Sequence, residues 1–233
     1  GQQDNSALRI RSRSLSNGSI GSRDWQPTAG GESGWVAASP EAPDVVFGGS
    51  YMGYLVRLDH ATDAERGVNV WPEETMGHAA KDVKYRFQWN FPLLFSRHHR
   101  QRLYAAGNRL FASDNEGQSW EAISPDLTRA DPATMEASGG PITKDNTSIE
   151  YYGTIFSVAE STLDSQILWT GSDDGRIHIS RDDGAHWSDV TPRNAPSDLQ
   201  WNSLEPSPFE DDGLYAIGTR YKWGDRKPYL YRT

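Results

Sequence analysis

Five carboxylates in this sequence of 233 residues are candidates for acid–base chemistry: Asp145, Glu150, Asp173, Asp174 and Glu205. Glycoside hydrolysis needs two carboxyl groups roughly 5–10 Å apart across the scissile bond, one as acid and one as base or nucleophile. Glu150 is the expected first member of such a pair, and one of the other four is its partner. Because sequence does not give their separation, hydrolysis and binding without catalysis both remain hypotheses.

A second set of side chains suits the binding of a sugar or a peptide. Aromatic rings stack on a ligand, and charged groups form charge-assisted hydrogen bonds with it. The predicted ligand-binding residues are Arg86, Gln88, Trp89, Glu150, Tyr151, Tyr152, Trp201, Arg220, Tyr221 and Lys222. Two alternatives stay open: the rings of Trp89, Tyr151 and Tyr152 fill a channel, or Glu150 forms an ion pair with Lys144 or Arg86.

The elements that position these residues follow from a pattern that occurs four times. An apolar stretch ends in serine, and an aromatic residue follows eight positions later: Ser39 and Phe47, Ser96 and Tyr104, Ser161 and Trp169, Ser207 and Tyr215. The eight-residue offset is constant, whereas the repeats are 57, 65 and 46 residues apart. A fixed unit with variable connections indicates a repeat architecture whose function resides in its loops.

Alternating apolar positions and dense turn residues predict four short antiparallel strands per repeat, which is the blade of a β-propeller. The predicted fold is all-β, with blades over 31–73, 84–124 and 150–191 and partial blades over 1–30 and 200–233. In the first blade the fourth strand is predicted at 67–71. Residues 1–30 hold two predicted strands where ring closure with the last blade needs one. We therefore expect a segment of a larger propeller rather than a closed ring of four blades.

Propeller geometry divides the loops between two faces. Turns after the second strand and connections between blades share one face, which we call the channel face. Two connections on it, 72–90 and 125–152, exceed the usual length and indicate functional or stabilising segments. The residues that end such connections, among them Gln200 and Trp201, should ring the central channel. All predicted ligand-binding residues fall on this face.

Two turns between third and fourth strands carry the sharpest motif, Ser-x-Asp-x-Gly-x-Thr-Trp. In such a turn the Asp or Asn side chain accepts from turn amides, glycine permits a positive φ, and tryptophan packs the hairpin on the blade. The predicted structural residues are Ser113, Asn115, Gly117, Trp120, Ser180, Asp182, Gly184 and Trp187. Since these turns lie on the opposite face, Asp182 and Asp183 are predicted to be structural.

These turns resemble the Asp-box, or bacterial neuraminidase repeat. Longer segments resemble one branch of the sortilin-like, neuraminidase-repeat propellers of bacteria, often labelled glycosyl hydrolases: 84–92, 108–113, 120–129, 139–147, 150–155, 220–222 and 228–231. The resemblance implies an exported protein, secreted or periplasmic, in which this unit is part of a larger chain. It also places Thr233 about where a further box would begin. It does not imply an established enzymatic activity.

Composition excludes several classes of function. The net charge of −9 argues against a nucleic-acid partner, and no apolar run is long enough to span a membrane. Without cysteine the chain has no disulfide or thiolate site, and its six histidines lack metal-ligand spacing, so neither a metal nor a cofactor is expected. The leading hypothesis is an exported binding or scaffold propeller that engages a glycan or peptide. The alternatives are a glycoside hydrolase and an inactive module that docks a partner domain or the remainder of the propeller.

Overall fold

The computed structural model of the chain describes residues 1–14, 18–32, 34–139 and 142–233, without the side chain of Asp145. Over these residues the chain forms three four-stranded antiparallel sheets and one three-stranded sheet. The strands of blade 1 are Val36–Ala38, Val45–Gly49, Leu55–Asp59 and Ala64–Gly67; those of blade 2 are Leu93–Phe95, Leu103–Ala106, Leu110–Ser113 and Glu121–Ala122. Blade 3 has Ile155–Glu160, Leu168–Ser172, Ile177–Ser180 and Ser188–Asp189, and blade 4 has Gln200–Pro206, Leu214–Arg220 and Asp225–Arg232.

The remaining elements are short. Strands Leu8–Ile10 and Trp25–Pro27 pair with each other, and strands Ser138–Gly139 and Lys144–Asp145 form a hairpin in the connection between blades 2 and 3. The 3₁₀ helices are Ser22–Asp24, Tyr51–Gly53, Ala80–Asp82, Pro132–Thr134 and Tyr221–Trp223. No described helix is long and apolar enough to cross a membrane. The all-β prediction is therefore confirmed.

One predicted strand was wrong. The fourth strand of blade 1 is Ala64–Gly67 rather than 67–71. Asp59 pairs with Ala64, and Asp63 in the hairpin turn between them adopts a positive φ of 55°. Because aspartate tolerates that left-handed conformation, the turn closes in four residues and the strand begins earlier than in the motif-bearing blades.

The repeated serine has the same function in every blade. Its Oγ accepts hydrogen bonds from the backbone N–H groups two and three residues ahead, at 2.8–3.4 Å. The residue two positions before the serine pairs with the repeated aromatic residue, as Leu94 does with Tyr104 and Ala159 with Trp169. The eight-residue offset is therefore the length of one hairpin, ended by a serine that satisfies its turn amides.

Blades 1 to 3 each pack through their second strand on the next blade. Phe47 of blade 1 contacts Phe95 of blade 2 edge to face, with ring centroids 5.6 Å apart. Tyr104 of blade 2 donates a hydrogen bond to Glu160 of blade 3 at 3.4 Å. Trp169 of blade 3 lies in one apolar cluster with Leu204 and Trp201 of blade 4. The repeated aromatic residue is thus the core of each junction between blades.

The two motif-bearing turns form the same hydrogen bonds. Gly117 N donates to Ser113 Oγ at 2.9 Å, and Gly184 N donates to Ser180 Oγ at 2.8 Å. Both glycines have a positive φ, and a Cβ at either one would come within 2.8 Å of the preceding blade. Each turn is therefore both a hairpin and a contact between blades.

Candidate functional site

A cleft of about 660 Å³ opens on the channel face between blades 2, 3 and 4. It is lined by Gln88, Trp89, Asn90, Glu150, Tyr151, Tyr152, Phe156, Gln200, Tyr221 and Lys222. Seven of these are among the ten predicted ligand-binding residues, although they come from segments up to 134 positions apart. A volume of this order accommodates a drug-sized ligand.

The wall from blade 2 is fixed by contacts between the two long connections. Gln88 forms an isolated antiparallel bridge with Glu150, and its Nε2 donates to the Tyr151 carbonyl at 3.3 Å. The Trp89 N–H donates to the Gln88 Oε1 at 3.0 Å. Tyr151 is 7% exposed, and its hydroxyl donates to the His78 carbonyl at 2.8 Å. Tyr151 therefore anchors the wall, whereas Trp89 is half-buried and borders the open space.

Tyr152 and Lys222 meet across the cleft. The Lys222 Nζ lies 5.3 Å from the centroid of the Tyr152 ring, within the range of a cation–π interaction. Burial raises the pKa of Tyr152 to about 12, and the charges of Asp173 and Asp174 add to the shift. Tyr152 is therefore a neutral phenol at neutral pH. Lys222 belongs to the 3₁₀ helix Tyr221–Trp223, whose two aromatic side chains are 61% and 64% exposed.

Two amide side chains that line the cleft have buried oxygens. Asn90 Oδ1 and Gln200 Oε1 are buried atoms without a hydrogen-bond partner among the described residues, and Gln200 is only 3% exposed. A buried acceptor without a donor is destabilising, and these two oxygens have no accessible surface that a ligand in the cleft could contact. Neither Asn90 nor Phe156 was predicted from the sequence. The position of Asn90 directly after Trp89 is the one sequence feature that could have predicted its place in the cleft.

Three predicted ligand-binding residues do not line this cleft. Arg86 is buried, with its guanidinium bonded to the Gly153 carbonyl at 2.9 Å and to Asp126 at 2.7 Å. Trp201 is fully buried and packs edge to face on Tyr231. Arg220 forms two hydrogen bonds of 2.9 Å with the carboxylate of Asp198. Contacts within the protein hold all three side chains, and the Trp201 Nε1 is buried without a hydrogen-bond partner among the described residues.

The carboxylates Asp173 and Asp174 are buried acceptors. Asp173 accepts from the backbone N–H groups of Gly153 and Thr154 at 3.0 and 2.8 Å, and Asp174 accepts from the Ser172 hydroxyl at 2.6 Å. Burial raises the pKa of Asp173 to about 7, although hydrogen bonds from Thr154 and the positive charge of Lys222 oppose that rise. Burial likewise raises the pKa of Asp174. Asp173 therefore holds the start of blade 3 in place, whereas Asp174 fixes the preceding connection by accepting from the Arg129 N–H at 2.9 Å.

The other predicted carboxylates are dispersed. Glu150 is exposed in the cleft and forms no ion pair within the described part of the chain, whereas exposed Glu205 borders a separate cleft between the inner strands. The side chain of Asp145 lies outside the described residues. Among the four predicted carboxylates whose side chains are described, no two line the same cleft. The described residues also hold no group of three His, Asp or Glu side chains placed to bind a metal ion.

Solved structures with the same architecture are propellers. An ancestral GH74 enzyme superposes with a TM-score of 0.51 at 13% identity, over 85% of this chain and 22% of its own. The GH74 xyloglucanase from Xanthomonas campestris gives a TM-score of 0.52 at 16% identity, over 84% of this chain and 28% of its own. YCF48 bound to D1 peptide gives a TM-score of 0.49 at 16% identity, over 85% of this chain and 52% of its own. No family model and no curated protein sequence matches the chain.

These likenesses show the fold alone. The chain spans less than a third of the length of the GH74 enzymes that it resembles. Together with the antiparallel four-stranded sheets, they confirm the β-propeller class predicted from the sequence. The sortilin-like label finds no specific support in them.

Proposed function

We propose that this chain is a ligand-binding propeller module that engages a glycan or a peptide in the 660 Å³ cleft. The observation that carries the proposal is the convergence of Gln88, Trp89, Glu150, Tyr151, Tyr152, Tyr221 and Lys222 on one cleft. Binding sites of this kind combine aromatic walls with a few convergent polar groups. The dispersion of the carboxylates favours binding over hydrolysis.

Membership of a propeller family and an exported location are part of the same proposal. The motif-bearing turns at Ser113 and Ser180, with their shared hydrogen bonds, support membership of the neuraminidase-repeat propellers. An exported location, secreted or periplasmic, rests on that resemblance. Cell fractionation of the source organism with an antibody against the chain tests it, and a purely cytoplasmic signal would contradict it.

A glycan array and a peptide library, probed in parallel with the purified chain, test the binding function. Trp89→Ala and Glu150→Ala should reduce the signal of any ligand that binds, because both side chains border the cleft. Trp25→Ala is the matched control, since Trp25 is 57% exposed and does not line the cleft. Binding that survives both cleft substitutions would refute this site.

A docking function has a separate observation in its favour. The repeated aromatic residue is buried in blades 1 to 3, but Tyr215 of blade 4 is 40% exposed. Ile217 and its strand partner Leu230 lie on the same face of the sheet and are 45% and 66% exposed. Since this face repeats the geometry of three covered junctions, we propose that it receives a further four-stranded blade.

Self-association tests the docking face. Without its partner, an apolar face beside an unpaired strand edge should pair two chains as concentration rises. Light scattering coupled to size exclusion should show dimers that Ile217→Thr with Leu230→Lys converts to monomers. Phe209→Ser is the control, because Phe209 is 89% exposed in a loop. A monomer at every concentration would contradict the docking role.

A further inference from the structure

The exposed sheet face of blade 4, proposed above as a docking face, also carries an arginine. Arg232 lies on the third strand directly opposite Tyr215, the repeated aromatic residue of this blade. In blade 1 the same place is taken by Arg57, opposite Phe47. Blades 2 and 3 have apolar residues there. Blade 1 therefore shows what such an arginine contacts when the face is covered.

In blade 1 this arginine binds the motif-bearing turn of the next blade. The Arg57 Nε lies 2.8 Å from the Glu116 Oε2, and the Arg57 side chain is only 17% exposed. Arg66 of blade 1 also donates to the Glu116 carbonyl, at 3.2 Å. Glu116 directly precedes the motif glycine, Gly117, and has a positive φ of 58°. The first junction between blades thus contains an ion pair with the residue before that glycine.

The junction between blades 2 and 3 uses the same position of the motif. Asp183 directly precedes Gly184 and has a positive φ of 53°, and its Oδ2 lies 2.6 Å from the Arg102 Nη1 of blade 2. Arg102 keeps a second carboxylate, Asp114 of its own blade, at 2.9 Å. Both described motif turns therefore present a carboxylate that binds an arginine of the preceding blade. An acidic neighbour in its own blade does not prevent that arginine from binding it.

Arg232 is available for such a carboxylate. Its Nη2 lies 3.5 Å from Glu210, and the two side chains are 58% and 55% exposed, so this pair contributes little. The guanidinium carbon is 5.6 Å from the centroid of the Tyr215 ring, which keeps it beside the docking face. The same strand carries Arg226 and Lys227, whose side chains have no partner among the described residues. The outer side of the docking face is therefore cationic.

The inner side of the docking face has the opposite charge. Glu205 lies opposite Tyr215 on the innermost strand, so that Glu205 and Arg232 flank the aromatic residue. Glu205 is exposed and forms no ion pair within the described part of the chain. A partner that is acidic throughout would meet Glu205 with like charge, which is unfavourable. A single carboxylate in a turn between third and fourth strands avoids this, because such turns lie on the outer side of a blade.

On the premise that the proposed docking role holds, we infer that the partner is a propeller blade whose motif turn carries aspartate or glutamate directly before its glycine. That carboxylate pairs with Arg232, as Glu116 pairs with Arg57, and Glu210 is displaced. A second copy of this chain is a poorer partner, because its own Glu116 and Asp183 are already paired. The ion pair selects the blade that docks, whereas the apolar contacts supply most of the affinity.

Two synthetic hairpins, titrated into the full chain and followed by NMR, test this inference. Both copy residues 109–124, which are the third and fourth strands of blade 2 with their turn, and both are closed by added terminal cysteines. One keeps Glu116 and the other has Glu116→Gln. The hairpin with glutamate should bind about fivefold tighter, because it alone forms the ion pair.

Variants of the full chain locate the effect. Arg232→Met should abolish the preference for glutamate, whereas Arg193→Met is the matched control and should keep it, since Arg193 is exposed in the connection between blades 3 and 4. Arg232→Glu should reverse the preference, so that a hairpin with Glu116→Lys binds it more tightly than the one with glutamate. A residue that only supports the fold would not produce this reversal.

The outcomes separate the inference from the docking role. Equal affinity of the two hairpins for the wild type, absence of binding by both, or a preference that survives Arg232→Met would overturn the inference. Dimers that Ile217→Thr with Leu230→Lys converts to monomers would still support the docking role in each of those cases. A chain that stays monomeric at every concentration and binds no hairpin would overturn the docking role itself.

Discussion

Lys222 and Tyr152 join two distant parts of the chain, with the ammonium 5.3 Å from the ring centroid. Tyr152 ends the long connection before blade 3, whereas Lys222 lies in the turn after the second strand of blade 4. Their contact brings an insertion and a turn to one side of the channel. The cleft exists because these two segments converge there.

Tyr152→Leu should weaken ligand binding about tenfold, because it removes an aromatic wall common to three clefts. Tyr152→Phe is the matched control, since it keeps the ring and its contact with Lys222. Titration calorimetry of both variants measures the difference. Similar losses in Tyr152→Phe and Tyr152→Leu would assign the effect to the hydroxyl instead.

Arg86→Met should destabilise the fold by about 3 kcal/mol, because it leaves Asp126 partly buried without its cation. Burial opposes ionisation of Asp126, but a hydrogen bond from Thr128 and the charge of Arg86 hold its pKa below the usual value. Urea unfolding gives the free energy. Arg181→Met is the control, with a change within about 1 kcal/mol, since the Arg181–Asp212 pair is more than half exposed. Lost ligand binding with unchanged stability would instead make Arg86 a ligand residue.

Asp173 should make the fold less stable as pH rises from about 4 to about 7. The pKa of this carboxyl group is about 3.9 in the unfolded chain and about 7 in the folded one. Between these two pH values the folded state binds more protons than the unfolded state, so its stability falls as pH rises. The full difference is at most about 4 kcal/mol, at about 1.4 kcal/mol per pH unit. Asp173→Asn removes this dependence while its Oδ1 still accepts from Gly153 and Thr154.

Urea unfolding near pH ~5 and near pH ~8 compares the two proteins. Asp212→Asn is the control, because its side chain is 61% exposed. An equal change of stability with pH in wild type and Asp173→Asn would show that Asp173 is not the titrating group.

Trp187→Phe should lower stability by about 1 kcal/mol without changing ligand binding. The indole Nε1 donates to the Ile123 carbonyl of blade 2 at 2.9 Å, as Trp120 does to Val68 of blade 1, and phenylalanine loses that bond. Thermal unfolding and calorimetry measure the two effects, with Trp25→Phe as control. A loss of binding would place the motif-bearing turns in the functional surface.

The repeat made the blades predictable, because serine-capped hairpins and buried aromatic residues are local properties of the sequence. The fourth strand of blade 1 was misplaced because its short turn, with Asp63 at a positive φ, lacks the motif. The channel-face cleft followed from the order of the strands. The full set of residues that border the cleft could not be predicted from the sequence. Arg86 pairs with the partly buried Asp126 and Trp201 packs in the core, and both contacts depend on tertiary packing.

Tyr221→Ala, followed by both unfolding and ligand titration, tests the cleft most directly. Tyr221 lines the cleft and is 61% exposed, so its truncation should leave the free energy of unfolding within about 0.5 kcal/mol of wild type. The same change should weaken ligand binding about tenfold, because the ligand loses an aromatic surface. A variant that keeps its stability and binds its ligand as tightly as wild type would contradict a ligand-binding role for this cleft.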